Sequence, residues 1–216
     1  MMKASLSGLV VCVLLAGTAS GGGVFGTDWL PPQGVYVSPP GEPVVYTGGA
    51  GVAIASDFAH FDFAPQFPPP APGPDTLFYN STLTFTLDPG VGPIPFADTS
   101  TSVVVDARLD YDDGVTRGYQ MEMLSLVAEQ DMGVVNVYLR ESPYLESHGY
   151  TTITDLGDGT FHIDSFFDVW TELSLDGAYS WIPADRALHL ELIPEPATMG
   201  LLALGLAGLA LKRKRE

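Results

Sequence analysis

The sequence predicts an all-β domain, and three observations carry that prediction. Within residues 24–193 no long stretch shows the 3.6-residue recurrence of an amphipathic helix. Runs rich in Val, Thr, Tyr and Phe recur instead. The clearest is 77–87, where Leu83, Phe85 and Leu87 alternate with Thr82, Thr84 and Thr86, the pattern of an antiparallel strand with one dry and one wet face. Clusters of Gly, Pro and Asp separate these runs at short intervals. Many short strands divided by turns suit two antiparallel sheets packed as a β-sandwich, a jelly roll being one such arrangement.

Taken in order, the chain opens with Lys3, an apolar run over 6–16, and the small residues Gly17, Ala19, Ser20 and Gly21. That three-zone pattern reads as a signal peptide over residues 1–20, addressed to the secretion machinery. Its apolar run is shorter than the roughly 20 residues a bilayer span needs. The one cysteine, Cys12, lies inside it, so the exported body is expected to have neither disulfides nor a catalytic thiol. One domain, 21–192, follows. Its lead-in is rich in glycine and proline, with strands expected at 34–37 and 44–47, then a strand pair or bulged strand over 51–63 that contains His60. Residues 65–74 hold six prolines in ten, which favours an extended polyproline spacer or edge loop and opposes sheet pairing. After 77–87, Asp88-Pro89-Gly90 supplies a turn. Further strands are expected at 101–109, 119–128, 134–141, 150–155, 160–166, 170–175, 179–182 and 187–192. The turn signals between them include Asp112-Asp113-Gly114, Asp131-Met132-Gly133, Gly157-Asp158-Gly159 and Asp176-Gly177.

Charge narrows the function classes. Residues 24–193 carry 24 Asp and Glu against four arginines (Arg108, Arg117, Arg140, Arg186) and no lysine, a balance of about −20. Such a body is repelled by phosphate backbones, which are bound by clustered Lys and Arg, so no nucleic-acid partner is expected. The acidity itself reads as solubility outside the cell.

Catalytic patterns are sparse. His60, His148, His162 and His189 stand singly, without the spacing of zinc ligands, and there is no Gly-x-Ser-x-Gly elbow. Glu141 with Glu146, or Asp164 with Asp168, are carboxylate pairs of the kind glycoside hydrolysis uses, but in so acidic a chain pairs arise by chance. The body therefore reads as non-enzymatic, with no cofactor required. Calcium is the one cation the sequence suggests: Asp110, Asp112 and Asp113 place three carboxylates on a tight turn, and hard oxygen ligands suit that ion. The spacing departs from the helix-loop-helix calcium loop, and a solvated turn accounts for the same residues. Trp170, Tyr179 and Trp181 lie close in sequence; as an exposed platform they would stack on sugar rings, and as core residues they would fill the domain.

The tail has its own logic. Ile193-Pro194-Glu195-Pro196 is followed by an uncharged apolar run over 197–211 and then by Lys212, Arg213, Lys214 and Arg215. As a helix the run spans roughly 22 Å at about 1.5 Å per residue, short of the roughly 30 Å hydrocarbon core. The basic cluster is placed on the cytoplasmic side. Pro194, Glu195 and Pro196, the apolar helix and the basic stop resemble the PEP-CTERM sorting signal of exported proteins in bacteria with an outer membrane. That resemblance implies transient anchoring in the inner membrane over 193–216 and processing near Pro-Glu-Pro by an exosortase, a membrane-embedded transpeptidase-like enzyme. It also implies release to the cell surface or exterior, where an exopolysaccharide layer is a natural surrounding. The body from Gly157 to Gly177, closing on Trp181, with 118–126 and Arg140-Glu141-Ser142-Pro143, is similar to a segment of uncharacterised exported proteins bearing the same tail. The sequence thus describes an exported structural protein, with a carbohydrate-binding module as the alternative and a glycoside hydrolase behind it.

Overall fold

A computed structural model of the chain describes residues 24–49, 51–133 and 136–193. The signal segment 1–20, Pro194, Glu195, Pro196, the apolar run 197–211 and the basic cluster lie outside the described residues. Those described form thirteen strands and no helix.

The strands fall into lanes. β2 (Val35–Val37) and β3 (Val44–Gly48) run in line along one edge of β4 (Gly51–Ala64). β4 pairs with β5 (Pro74–Asp88), β5 with β6 (Ile94–Asp112), and β6 with β7 (Thr116–Asp131). The far edge of β7 is shared by β8 (Asn136–Glu141) and β9 (Ser147–Asp155). In the next lane β10 (Phe161–Val169) pairs with β9, and β11 (Thr171–Ser174) with β8. Finally β13 (Leu188–Ile193) pairs with β10 and β12 (Ile182–Pro183) with β11. The ring closes where Leu192 stands opposite Tyr36 and where Tyr46 bridges Ala184. Every neighbour is antiparallel, and the lanes follow chain order, so the fold is an eight-stranded up-and-down barrel with extra strands. β1 (Val24–Gly26) is one of those extras, laid against the start of β10.

The expected sandwich is corrected here. Alternation reports one dry face per strand, a property that a closed barrel and a sandwich share; what separates them is whether the hydrogen-bond ladder has free edges. In this chain the last lane returns to the first. Bulges supply the curvature that closure needs. The β4–β5 ladder shifts register between Ser56 and Ala59 and again between Phe61 and Ala64, and within those shifts Asp57 and Asp62 both take φ of 57°, a conformation that Asp tolerates better than most residues. The proline segment differs from expectation in two details: Phe67, one of its non-proline residues, exchanges two 2.7 Å backbone hydrogen bonds with Leu30, and Pro74 opens β5 opposite Arg108.

Inward-facing side chains fill the cylinder. Phe58, Phe85 and Phe96 stack with centroids 4.8 and 4.2 Å apart. Nearer the tail, Tyr36, His60, Phe63, Tyr79, Met121 and Phe167 surround a cavity of only about 10 Å³, the room one water takes. Polar groups that point inward bond to one another. The Tyr36 hydroxyl donates to Ser165 Oγ at 2.7 Å, Ser165 pairs with Thr151, His60 with Ser81 and Tyr46 with Thr171. Among the described residues no buried side-chain nitrogen or oxygen lacks a partner, as low-dielectric surroundings demand.

Candidate functional site

The strand that carries the tail is also the strand that closes the barrel. β13 runs to Ile193, so Pro194 follows a residue still paired with Val35. Leu192 is buried, and its side chain lies so close over Gly34 that a Cβ there would meet Leu192 Cδ1 at 2.8 Å. The same point on Gly34 lies 3.3 Å from Val24 Cγ1 and from the Ile193 carbonyl oxygen. Val24 and Ile193 are therefore side by side at one end of the barrel, with Gly34, whose positive φ suits glycine, wedged between them.

The aromatic trio does not form a single platform. Tyr179 is 92 % exposed on the loop between β11 and β12. Trp170 and Trp181 are half-buried. One face of Trp181 is covered by the Arg140 guanidinium, 3.8 Å from the ring centroid. Arg140 is itself held by buried Glu172, through Nε at 3.0 Å and Nη2 at 2.6 Å, while Ser142 donates to the other oxygen of Glu172. This cluster ties β8 to β11 beside the break between β10 and β11 at Trp170. Beside it, burial pushes the Glu141 carboxyl up to about 7, with the charges of Glu122 and Glu172 adding to the rise and a hydrogen bond from Ser147 opposing it.

Asp110, Asp112 and Asp113 sit at the β6–β7 turn, and each carboxylate is engaged within the protein. Asp110 accepts from Gln120 Nε2 and from the Tyr150 hydroxyl, both at 3.0 Å. Asp112 accepts from the Gly114 amide, and Asp113 from the amides of Val115 and Thr116. Those backbone donors lower the Asp113 pKa. Asp176 plays the corresponding part in the loop that holds Tyr179; hydrogen bonds from Ser180 and Ser174 pull its carboxyl down to about 2. Among the described residues no three His, Cys, Asp or Glu side chains converge to hold a metal. Asp164 and Asp168 share the outer face of β10, four residues apart, which at about 3.3 Å per residue is about 13 Å and beyond the reach of a glycosidase pair.

A grouping that sequence reasoning missed lies on the outer wall. Register sets Glu122 of β7 opposite His148 of β9, His148 opposite Asp168 of β10, and Asp168 opposite His189 of β13. His189 Nδ1 lies 2.7 Å from Asp168 Oδ1, and His148 pairs with Glu146 at 3.3 Å. Below this row Tyr150, Thr152, Asp164, Phe166, His189 and Glu191 line a shallow hollow of about 310 Å³. Each residue is ordinary in its own strand; only cross-strand register brings the row together. His60, by contrast, faces inward, and burial pushes its imidazole down to about 3, so it is neutral.

Comparison with known proteins reaches the tail alone. No curated protein and no solved structure matches the chain. Residues 192–215 match the PEP-CTERM protein-sorting motif, which marks an exported chain that is held in the membrane and then processed by an exosortase.

Proposed function

We propose that the barrel is a non-enzymatic building block of the cell surface or extracellular matrix, delivered through its tail. The observation that carries this reading is the direct passage from the closing strand into the sorting motif, over an interior filled by side chains. Eight-stranded barrels that carry small molecules keep a hollow for them; in this one the cavity beside Tyr36, His60 and Phe63 has room for about one water. Its acidity, about −20 over residues 24–193, suits dispersal in a hydrated exopolysaccharide layer. Calcium bridging through the surface aspartates would belong to the same role, though the turn carboxylates already accept internal hydrogen bonds. The carbohydrate-binding alternative rests on Tyr179, since Trp181 has one face occupied by Arg140.

Delivery is tested by replacing Pro194, Glu195 and Pro196 with alanine and following the chain by fractionation and mass. The expected result is an uncut precursor that stays with the membrane; unchanged cleavage and localisation would sink the sorting assignment. The non-enzymatic role is tested in cells lacking the protein. A variant carrying Glu122→Gln, Asp168→Asn and His189→Gln should restore the surface layer as well as the wild type. Failure of a folded, correctly delivered variant would point to chemistry on the outer wall.

A further inference from the structure

Only three residues separate Ile193 from the apolar run, and that limits where the barrel can sit. From Ile193 to Ala197, the first residue of the apolar run, there are four residue steps, which span at most about 14 Å fully extended. The headgroup layer on one side of a bilayer is about 5 to 8 Å thick, the difference between total and hydrocarbon thickness shared over two sides. With the apolar run in the hydrocarbon, Ile193 is held within about 9 Å of the headgroup surface, close enough for the rim that contains it to meet the headgroups.

The residues that share this rim are identifiable from the pairing. Val24 lies beside Ile193 across Gly34. Phe25 stands opposite His162 and Gly26 opposite Phe161; Arg117 pairs with Asp28 at 2.9 Å, next to Trp29. The Val115 carbonyl accepts from the Asp155 amide, and the Leu156 amide donates to Thr160. The rim therefore runs without a break from β1 through the β9–β10 turn to the β6–β7 turn. It exposes four large apolar side chains: Phe25 at 71 %, Trp29 at 45 %, Val115 at 57 % and Leu156 at 47 %. Aromatic and branched residues of this kind settle at membrane interfaces. Exposure alone does not single this end out, since Val91 and Tyr179 are exposed at the opposite one. The short tether does.

We infer that the tail-bearing end of the barrel is a membrane-facing surface, with Phe25, Trp29, Val115 and Leu156 resting in the headgroup layer of the bilayer that holds the tail. This rests on the reading of the tail as a membrane-inserted sorting signal. Asp112, Asp113, Asp155 and Asp158 occupy the turns of the same rim, so the surface fits zwitterionic lipid better than anionic lipid. Exosortase cleavage then frees the face.

The experiment uses the full chain with Cys12→Ser, reconstituted into phosphatidylcholine vesicles without any other protein. An environment-sensitive fluorophore is attached in turn through Val115→Cys, Leu156→Cys, Val91→Cys and Tyr179→Cys. The expected result is a blue-shifted emission and quenching by lipid-borne quenchers at 115 and 156, none at 91 or 179, and weaker quenching in vesicles enriched in phosphatidylglycerol. Chain that floats with the vesicles while all four probes remain aqueous would overturn the proposal and leave the tail reading intact. Chain that fails to float would overturn the tail reading and the proposal with it. Shielding of 115 and 156 only after the processing enzyme is added would assign the face to that enzyme instead of lipid.

Discussion

The inside and the outside of this barrel handle polar groups in opposite ways. Inside, polar side chains pair with one another: Tyr36 with Ser165, Ser165 with Thr151, His60 with Ser81. Burial raises the Tyr36 and Tyr79 hydroxyl pKa values and lowers that of His60, so each keeps its uncharged form. Outside, carboxylates and imidazoles stand in rows, Glu122, His148, Asp168 and His189 across four lanes, with water to solvate whichever is charged. The difference is one of solvation: a charge is stabilised by water on the wall and has no such partner in the interior.

The sharpest way to break the contrast is to force charge into the interior. His60 titrates near 6.5 when unfolded and is pushed down to about 3 when folded. Because the folded value is depressed, its contribution is fully present above pH 6.5 and is lost as pH falls toward 3. The loss is on the order of 4 kcal/mol at about 1.4 kcal/mol per unit. Acid also relieves repulsion among the surface carboxylates, so the comparison to make is wild type against His60→Leu by denaturant unfolding across that range. The difference between the two should change by that amount, and parallel pH profiles would show that His60 is not held neutral.

Next in size is a change to the barrel wall. A Cβ on Gly149 would sit 2.6 Å from the Phe166 carbonyl oxygen and 2.6 Å from the Phe167 ring, where β9 meets β10. Overpacking of this kind costs about 3 kcal/mol, so Gly149→Ala should lower the melting temperature markedly. A near-wild-type melt would mean that the two lanes separate easily. Smaller is the effect of Glu141, half-buried at the β8–β9 break, whose carboxyl is pushed up to about 7. A raised folded value means that its contribution is present below the ordinary 4.5 and is lost as pH rises through 7. Glu141→Gln should therefore flatten the fall in stability over that window, and an unaltered slope would remove Glu141 as its source. Smallest is Asp168→Asn on the outer wall. The 2.7 Å contact with His189 is half exposed, and such pairs contribute about 0.5 kcal/mol. A cost of several kcal/mol there would erase the distinction between wall and interior.

Much of the β content was legible in the chain. The alternation over 77–87 is the heart of β5, and 119–128 lies inside β7. Local patterns mark these because the dry face of a strand must be apolar wherever its partner lies. The tail was equally legible, since its three parts are contiguous. Three things were hidden. β8 with β9 and β10 with β11 read as separate strands, whereas each couple forms one lane; the breaks at 142–146 and at Trp170 are visible locally, and the continuity is not. Residues 94–100 were missed as part of β6 because Pro95 and the turn-like Asp98-Thr99-Ser100 obscure the alternation. The outer histidine and carboxylate row could not be read at all, since it depends on register between lanes.

By itself, then, the sequence determined that the body is an acidic antiparallel β domain without cysteine and that it bears a sorting tail. Those properties reside in composition and in contiguous patterns. Only the tertiary structure decided that the lanes close into a barrel, that the interior is filled, and that the closing strand runs into the tail with Val24 at its side. Closure depends on bulges at Asp57 and Asp62 and on pairing between β2 and β13, about 155 residues apart in the chain, and long-range pairing of that kind leaves no local signature.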